Sequence, residues 1–251
     1  MTRARVLFVS LFLAVTLLGQ NHTATTADMI SGSGWFAWTF QTRGRTVCCN
    51  RCSLEHHNGF TISDDDIDPD EVSDVLIAVR VEDGRIRKVR LFDASCNLER
   101  QSKNLRMLTN MTNDQSVDYL LSQIPNADRE GELMAALSMH DHPRVVPALL
   151  DLARHDPDNE TRRHAIFWLG QKAGEKVAGE LRRIVDEDPD DDIKQHAVFA
   201  ISQLPRERSV PLLIELVKSH KNRSVRERAL FWLAQTGDSR AIDLIESILL
   251  K

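Results

Sequence analysis

The chain has 251 residues, 42% of them hydrophobic and 27% charged, which is enough for one or two modest globular domains. Its net charge of −5 argues against nucleic acid as a partner, because that function selects for clustered lysine and arginine. Two acidic runs, residues 64–70 and 186–192, lack the ligand rhythm and fixed glycine of an EF-hand loop, so we interpret both as solvated loops.

The N-terminus has the organisation of a secretory signal peptide. Arg3 and Arg5 form a basic start, and an almost uninterrupted apolar stretch follows at residues 6–18. That stretch is too short to span a bilayer comfortably, and small residues at 25–27 offer a cleavage site. We predict a signal peptide at residues 1–27 and an exported mature protein, periplasmic or secreted, with no membrane insertion after cleavage.

All four cysteines precede residue 100: Cys48, Cys49, Cys52 and Cys96. In an oxidising compartment, an even number of cysteines confined to one region indicates disulfide bonds. A bond between adjacent residues 48 and 49 would strain the backbone. Two pairings remain open: Cys48–Cys96 with Cys49–Cys52, or Cys49–Cys96 with Cys48–Cys52.

The same cysteines allow two chemical alternatives. Cys49 and Cys52 form a CxxC pair, which is redox-active when a helix N-terminus lowers the thiol pKa, but residues 48–52 show no clear strand-to-helix transition. A tetrahedral zinc site is the second alternative, with ligands Cys49, Cys52, Cys96 and either His56 or His57. Because export favours oxidation over zinc loading, we expect structural disulfides and no metal or cofactor.

Alternating hydrophobicity predicts strands at residues 35–40, 74–81 and 86–92. Residues 82–84, Glu-Asp-Gly, predict a tight turn between the last two strands. One face of the third strand is much more polar than the other, which is typical of an antiparallel sheet with one face in solvent. We therefore predict that residues 28–104 form a small, disulfide-bonded, β-rich module.

A motif of eleven residues recurs in the C-terminal half at intervals of 32 residues. It reads TRRHAIFWLGQ at 161–171, IKQHAVFAISQ at 193–203 and VRERALFWLAQ at 225–235. Such a period is typical of a solenoid of stacked helix pairs. Asp158, Asp190 and Asn222 each stand seven residues before the repeated alanine, where we expect them to cap the motif helices.

A second set of helical segments alternates with the motif helices, at residues 144–154, 177–185, 210–217 and 241–250. A degenerate first pair occupies residues 116–124 and 130–139. Ala165, Ala197 and Ala229 should lie on the buried face and let neighbouring helices approach closely. The predicted fold is therefore α+β, with an antiparallel β-rich module followed at residues 105–251 by an all-α solenoid of about four units.

The motif helices resemble bacterial HEAT repeats of the armadillo type, and VRERALFWL at residues 225–233 is the best match. The FWLGQ of residues 167–171 is similar to a variant in exported bacterial HEAT-repeat proteins, and CCNRC at 48–52 resembles an uncharacterised domain that precedes such repeats. The resemblance covers residues 116–251. It implies an α-solenoid used as a scaffold or adaptor.

Some HEAT-like proteins are enzymes, including bilin lyases and an iron-dependent hydroxylase whose repeats carry His-Glu metal ligands. Here His164 and His196 are followed by Ala165 and Ala197, so the His-Glu pairs are not reproduced. We interpret residues 140–142, His-Asp-His, as part of a loop. The sequence shows no Ser-His-Asp arrangement, phosphate-binding glycine loop or paired-carboxylate motif.

Two rows of repeat-equivalent side chains flank the buried face of the motif helices. Phe167, Phe199 and Phe231 form an aromatic row, which we interpret as packing between units or, alternatively, as the lining of a peptide groove. The basic residues at 162, 194 and 226 form a row that either pairs with acidic groups of the adjoining repeat or binds a ligand. The predicted exposed contact positions are Arg162, Arg163, Lys194, Gln195, Arg226 and Glu227.

The sequence therefore predicts a non-enzymatic, exported scaffold that binds another protein through the second helix of each pair. We expect neither nucleic acid nor a cofactor. The alternatives are a thiol-redox or metal-binding role of the cysteine cluster, and a HEAT-like enzyme related to bilin lyases or metal-dependent hydroxylases.

Overall fold

The computed structural model describes residues 29–48, 52–55, 61–63, 68, 70–98, 104–127, 129–172 and 175–250. The predicted signal peptide, most of the first acidic run, Cys49, His56 and His57 lie outside these residues.

A four-stranded sheet forms the N-terminal part of the fold, in the order β5-β4-β1-β6. Its three long strands are antiparallel, whereas the short β6 pairs in parallel with β1. A separate antiparallel ladder joins β2 and β3. The bounds are β1 Gly34–Arg43, β2 Thr46–Cys48, β3 Thr61–Ser63, β4 Val72–Glu82, β5 Arg85–Asp93 and β6 Leu105–Met107.

The hairpin between β4 and β5 confirms the predicted turn. Asp83 and Gly84 have φ angles of 51° and 73°, the two positive values that a type I′ turn requires. The sheet also extends beyond the predicted module, because β6 lies after residue 104 and pairs with the N-terminal half of β1. The helical region consequently begins at Asn113.

Nine α-helices follow in the described part of the chain, and they alternate between a first and a second helix of each pair. The predicted solenoid is therefore confirmed, including its degenerate first pair. The bounds are α1 Asn113–Gln123, α2 Glu130–Met139, α3 Val145–His155, α4 Asn159–Gly170, α5 Glu175–Glu187, α6 Asp191–Ser202, α7 Arg206–Ser219, α8 Arg223–Gln235 and α9 Ser239–Leu249.

The three predicted caps are present at the second helices α4, α6 and α8. Asp158, Asp190 and Asn222 each have extended backbone and accept hydrogen bonds from N–H groups of the first turn. The caps also join neighbouring repeats, because Asn159 donates to Asp190 at 2.7 Å. In α4, α6 and α8, residues at the N-terminus therefore both cap the helix and connect it to the neighbouring second helix.

Small residues allow the second helices to stack closely. Ala165, Ala197 and Ala229 are fully buried, as predicted. A Cβ atom added at Gly170 would lie 3.0 Å from the carbonyl oxygen of Ala200, so glycine is what allows α4 to approach α6 there. The first helices make far fewer contacts with one another than the second helices do. The exposed sides of α4, α6 and α8, here called the second-helix face, therefore form the more tightly curved side of the stack.

The sheet and the helices share one hydrophobic core. Trp38, Ile77 and Leu91 of the sheet are fully buried in the same cluster as Leu120 of α1 and Leu133 of α2. The sheet thus covers the apolar end of the first helix pair, which a solenoid must close.

A buried polar chain fixes this junction. The indole N–H of Trp38 donates to Ser116 Oγ at 2.7 Å, and Ser116 Oγ lies 2.7 Å from His140 Nε2. Since His140 Nδ1 lies 2.9 Å from the Ala136 carbonyl oxygen, Nδ1 carries the proton and Nε2 accepts from the serine. Burial lowers the pKa of His140 to about 4, and its ring stacks on Phe40 at 3.7 Å. The predicted loop histidine is therefore a neutral, fully satisfied core residue.

The disulfide differs from both predicted pairings. Cys52 is bonded to Cys96, with their Cα atoms 5.4 Å apart, whereas each predicted pairing left Cys52 bonded within the 48–52 cluster. The reason is packing, because Leu54 and Leu98, each two residues after a cysteine, are buried together on the outer face of the sheet. That cluster brings the two loops together. Cys49 and the side chain of Cys48 lie outside the described residues.

Within the described part of the chain, no helix is long and apolar enough to cross a membrane. The same residues contain no group of three or more His, Cys, Asp or Glu side chains placed to hold a metal ion.

Candidate protein-binding face

The first member of the basic row, Arg162, does not lie where the sequence predicted. Arg162 is only 8% exposed and forms an ion pair with Asp188 of the adjoining repeat. It also donates to the Ala153 carbonyl oxygen at 3.2 Å and to Asn159 Oδ1 at 3.3 Å. The prediction of Arg162 as an exposed contact is therefore wrong, and the alternative of pairing with an acid of the next repeat is confirmed at this position.

The other predicted contact positions are half-buried or exposed. Arg226 donates to the backbone oxygens of His220 and Lys221 at 2.7 and 2.9 Å, so its side chain is held against the preceding turn. Lys194 is half-buried. The remaining three, Arg163, Gln195 and Glu227, take part in exposed side-chain pairs with Glu160, Arg228 and Arg223 respectively.

Hydrogen bonding changes the electrostatics of this face locally. The Arg163 guanidinium lowers the pKa of Glu160, and the same contact raises the pKa of Arg163. Arg228 donates to Gln195 across the boundary between α8 and α6 at 2.9 Å. Basic side chains on the second-helix face, such as Arg163 and Arg223, are thus paired with acidic side chains of the same helix.

The aromatic row is the main apolar feature of the second-helix face. Phe167 and Phe199 are half-buried and stack with ring centroids 6.2 Å apart at an interplanar angle of 12°. Phe231 is 51% exposed. The row therefore packs between successive units and also reaches solvent, so neither sequence interpretation excludes the other.

Two tryptophans accompany the row. Trp168 and Trp232 each lie edge-to-face with the phenylalanine before them, at 4.9 and 5.0 Å and an angle of 80°. Phe199 also contacts Trp232 from the neighbouring helix at 5.0 Å. Aromatic side chains of α4, α6 and α8 therefore form one continuous strip across three repeats.

A cleft of about 410 Å³ lies at the sheet-proximal end of the strip. Its walls come from the first turns of α2 and from α4, and they include Glu130, His164 and Trp168. The sequence interpretation missed this cleft because it treated α2 as a degenerate unit. The sequence does contain a signal for the cleft. Ala135 stands 32 residues before Phe167, so it holds the position of the aromatic row but has no ring.

Comparison with protein families agrees with the repeat architecture. The family of HEAT repeats matches at residues 117–202, 146–218 and 180–251, which together span more than half of the chain. No curated protein matches the chain. Among solved structures, the chain is similar to the complex of CpcE and CpcF of phycocyanin lyase from Nostoc sp. PCC7120, with 23% identity and a TM-score of 0.36. That similarity covers 48% of this chain and 85% of the other. By its repeats, the chain belongs to the HEAT-repeat family.

Proposed function

We propose that this protein is a non-enzymatic, exported scaffold that binds another protein through the second-helix face. The single observation that carries the proposal is the aromatic strip on α4, α6 and α8, in which the ring of Phe231 is 51% exposed and the other rings are half-buried.

Side-chain exposure supports this assignment. Phe231 is 51% exposed, and large aromatic side chains are among the residues that contribute most to protein interfaces. The paired charges beside the strip, such as Arg223 with Glu227 at 2.7 Å, would form a polar rim around it. An apolar centre with a charged rim is the usual composition of a protein-binding surface.

The disulfide supports both export and a structural role for its cysteines. Disulfides persist in oxidising compartments, where the predicted signal peptide would deliver the chain. Cys52 and Cys96 are packed against the outer-face cluster that contains Leu54 and Leu98, so the bond holds two loops on the sheet. Because these two sulfurs are bonded to each other, they are not thiolate ligands for zinc in this structure.

Affinity capture from an extract of the native compartment, with quantitative mass spectrometry, tests the proposal. Phe231→Ser should reduce capture of the specific partner roughly tenfold, because it removes an exposed aromatic anchor. Ile242→Ser is the matched control, because Ile242 of α9 is equally exposed, at 51%, but lies off the second-helix face. Equal loss of the partner with both variants, or loss with Ile242→Ser alone, would overturn the proposal.

A further inference from the structure

The aromatic row has a fourth position, and that position carries no ring. Counting back in steps of 32 residues from Phe231 gives Phe199, Phe167 and then Ala135. The structure supports this frame, since Leu133 and Leu137 of α2 are fully buried, as are Ala165 and Leu169 at the equivalent positions of α4. Ala135 therefore stands where the later second helices place phenylalanine.

The missing ring leaves Trp168 uncovered on one side. Between α6 and α8, Phe199 contacts Trp232, which follows it by 33 residues, with centroids 5.0 Å apart. Trp168 follows Ala135 by the same interval, and both residues line the 410 Å³ cleft. The cleft thus occupies the space that the phenyl ring of Phe199 fills beside Trp232, two solenoid steps further on.

The floor of the cleft depends on a glycine. A Cβ atom at Gly131 would lie only 2.8 Å from the ring of His164, so the imidazole can lie against the backbone of α2 only because position 131 has no side chain. His164 Nε2 also lies 3.3 Å from a carboxylate oxygen of Glu160. The cleft is therefore formed by a specific close approach of α2 and α4.

The charges around the cleft leave one carboxylate without a counter-ion. Arg129 pairs with Glu132 at 3.4 Å, and the second oxygen of Glu132 accepts from the Val89 N–H at 3.4 Å. Glu130 lines the cleft and forms no ion pair with any residue that the structure describes. The lining therefore carries a net negative charge beside two aromatic rings.

We propose that this cleft binds an arginine side chain of the protein partner. A guanidinium is planar and of similar size to a phenyl ring, so it can enter the space of the missing ring and contact the ring of Trp168. Its N–H groups would at the same time form charge-assisted hydrogen bonds with Glu130. A neutral aromatic side chain would fill the same space but would leave Glu130 without a partner. This inference rests on the proposed function and names the chemistry that the partner must present.

The test uses the full chain and N-acetyl-arginine amide as the probe, followed through the indole N–H resonance of Trp168. That resonance is assigned by its disappearance in Trp168→Phe. We expect saturable shifts with a millimolar dissociation constant, and roughly tenfold weaker binding of N-acetyl-citrulline amide, which has the same shape without the charge. Shifts that do not saturate, or equal binding of citrulline and arginine, would overturn the proposal.

Two variants locate the site. Glu130→Gln should weaken the arginine probe roughly five- to tenfold, because a charge-assisted hydrogen bond becomes a neutral one. Ala135→Phe restores the ring found at the other positions and should abolish binding, while Ile242→Ser, on α9 and off the second-helix face, should leave binding at Trp168 unchanged. Unaltered binding in Glu130→Gln would exclude the cleft even if Ala135→Phe failed to fold. N-acetyl-phenylalanine amide binding as tightly as the arginine probe would show an apolar site instead.

Failure here is distinguishable from failure of the proposed function. If the partner is captured through Phe231 but the arginine probe does not bind, the second-helix face remains a docking surface and only the arginine assignment is lost. If the probe binds and Phe231→Ser captures the partner normally, the cleft remains an arginine site and the aromatic strip is not the docking surface.

Discussion

The ion pair between Arg162 and Asp188 should be the most sensitive polar contact in the solenoid. Their side chains are only 10% and 7% exposed, and they join α4 to the end of α5. We expect Arg162→Met to destabilise the protein strongly, because the Asp188 carboxylate would stay buried without its counter-ion. The hydrogen bond from the Asp190 N–H would then be only a partial compensation for the buried charge.

The magnitude follows from burial. Removing one partner of a buried ion pair costs about 3–5 kcal/mol, against about 0–1 kcal/mol for an exposed pair. In a chain of this size, a loss of about 3 kcal/mol lowers the melting temperature by about 6–12 °C. Replacing both partners, as in Arg162→Met with Asp188→Leu, removes the uncompensated charge as well and should recover most of the loss.

Urea unfolding followed by circular dichroism, applied to both single variants and the double variant, measures the coupling. Lys194→Met is the matched control, because Lys194 holds the same repeat position with no equivalent buried acid, and it should cost less than about 0.5 kcal/mol. An Arg162→Met loss below about 1 kcal/mol, or a double variant as unstable as the sum of the singles, would refute the reasoning.

Three further predictions concern stability. The pKa of His140 is lowered from 6.5 to about 4 in the folded protein. Between pH 6.5 and pH 4, His140 is therefore protonated in the unfolded chain but neutral in the folded one. Stability contributed by neutral His140, about 3 kcal/mol, should be lost as the pH falls from about 6.5 to about 4, and urea midpoints for His140→Gln should vary less over that range. Replacing Cys52 and Cys96 by serine opens a loop spanning 44 residues and should cost about 4 kcal/mol; an unchanged urea midpoint would contradict this. Asp190→Ala removes the cap that accepts from the N–H groups of Asp192 and Ile193, and thermal unfolding should show a loss of about 1 kcal/mol.

Local patterns predicted most of the fold. A helix cap such as Asp158 bonds only to backbone N–H groups a few residues later in the chain. An Asp or Asn seven residues before the repeated alanine was therefore sufficient to predict each cap. The β4–β5 turn likewise required only Asp83 and Gly84, whose positive φ values few other residues adopt easily. The 32-residue period predicted that the helix pairs stack side by side, because each repeated unit must bury the same face against its neighbours.

Contacts between distant segments were not predictable in the same way. The partner of Cys52 was decided by the packing of Leu54 and Leu98 on the sheet, which no local pattern shows. The burial of Arg162 depended on an acid 26 residues later, and the repeat frame suggested an exposed row because Lys194 and Arg226 share its position. The cleft was missed for the opposite reason, since it arises where Ala135 departs from the repeat.

Site-specific photo-crosslinking tests the central claim most directly. A benzoylphenylalanine side chain placed at position 231 keeps the exposed phenyl ring of Phe231 and adds a photoreactive benzoyl group, and the same side chain at position 242 of α9 serves as the comparison. In the native cells, position 231 should form a crosslink to one specific protein, and position 242 should not. Crosslinks from position 242 alone, or none from position 231 while the chain is folded, would contradict a docking role for the second-helix face.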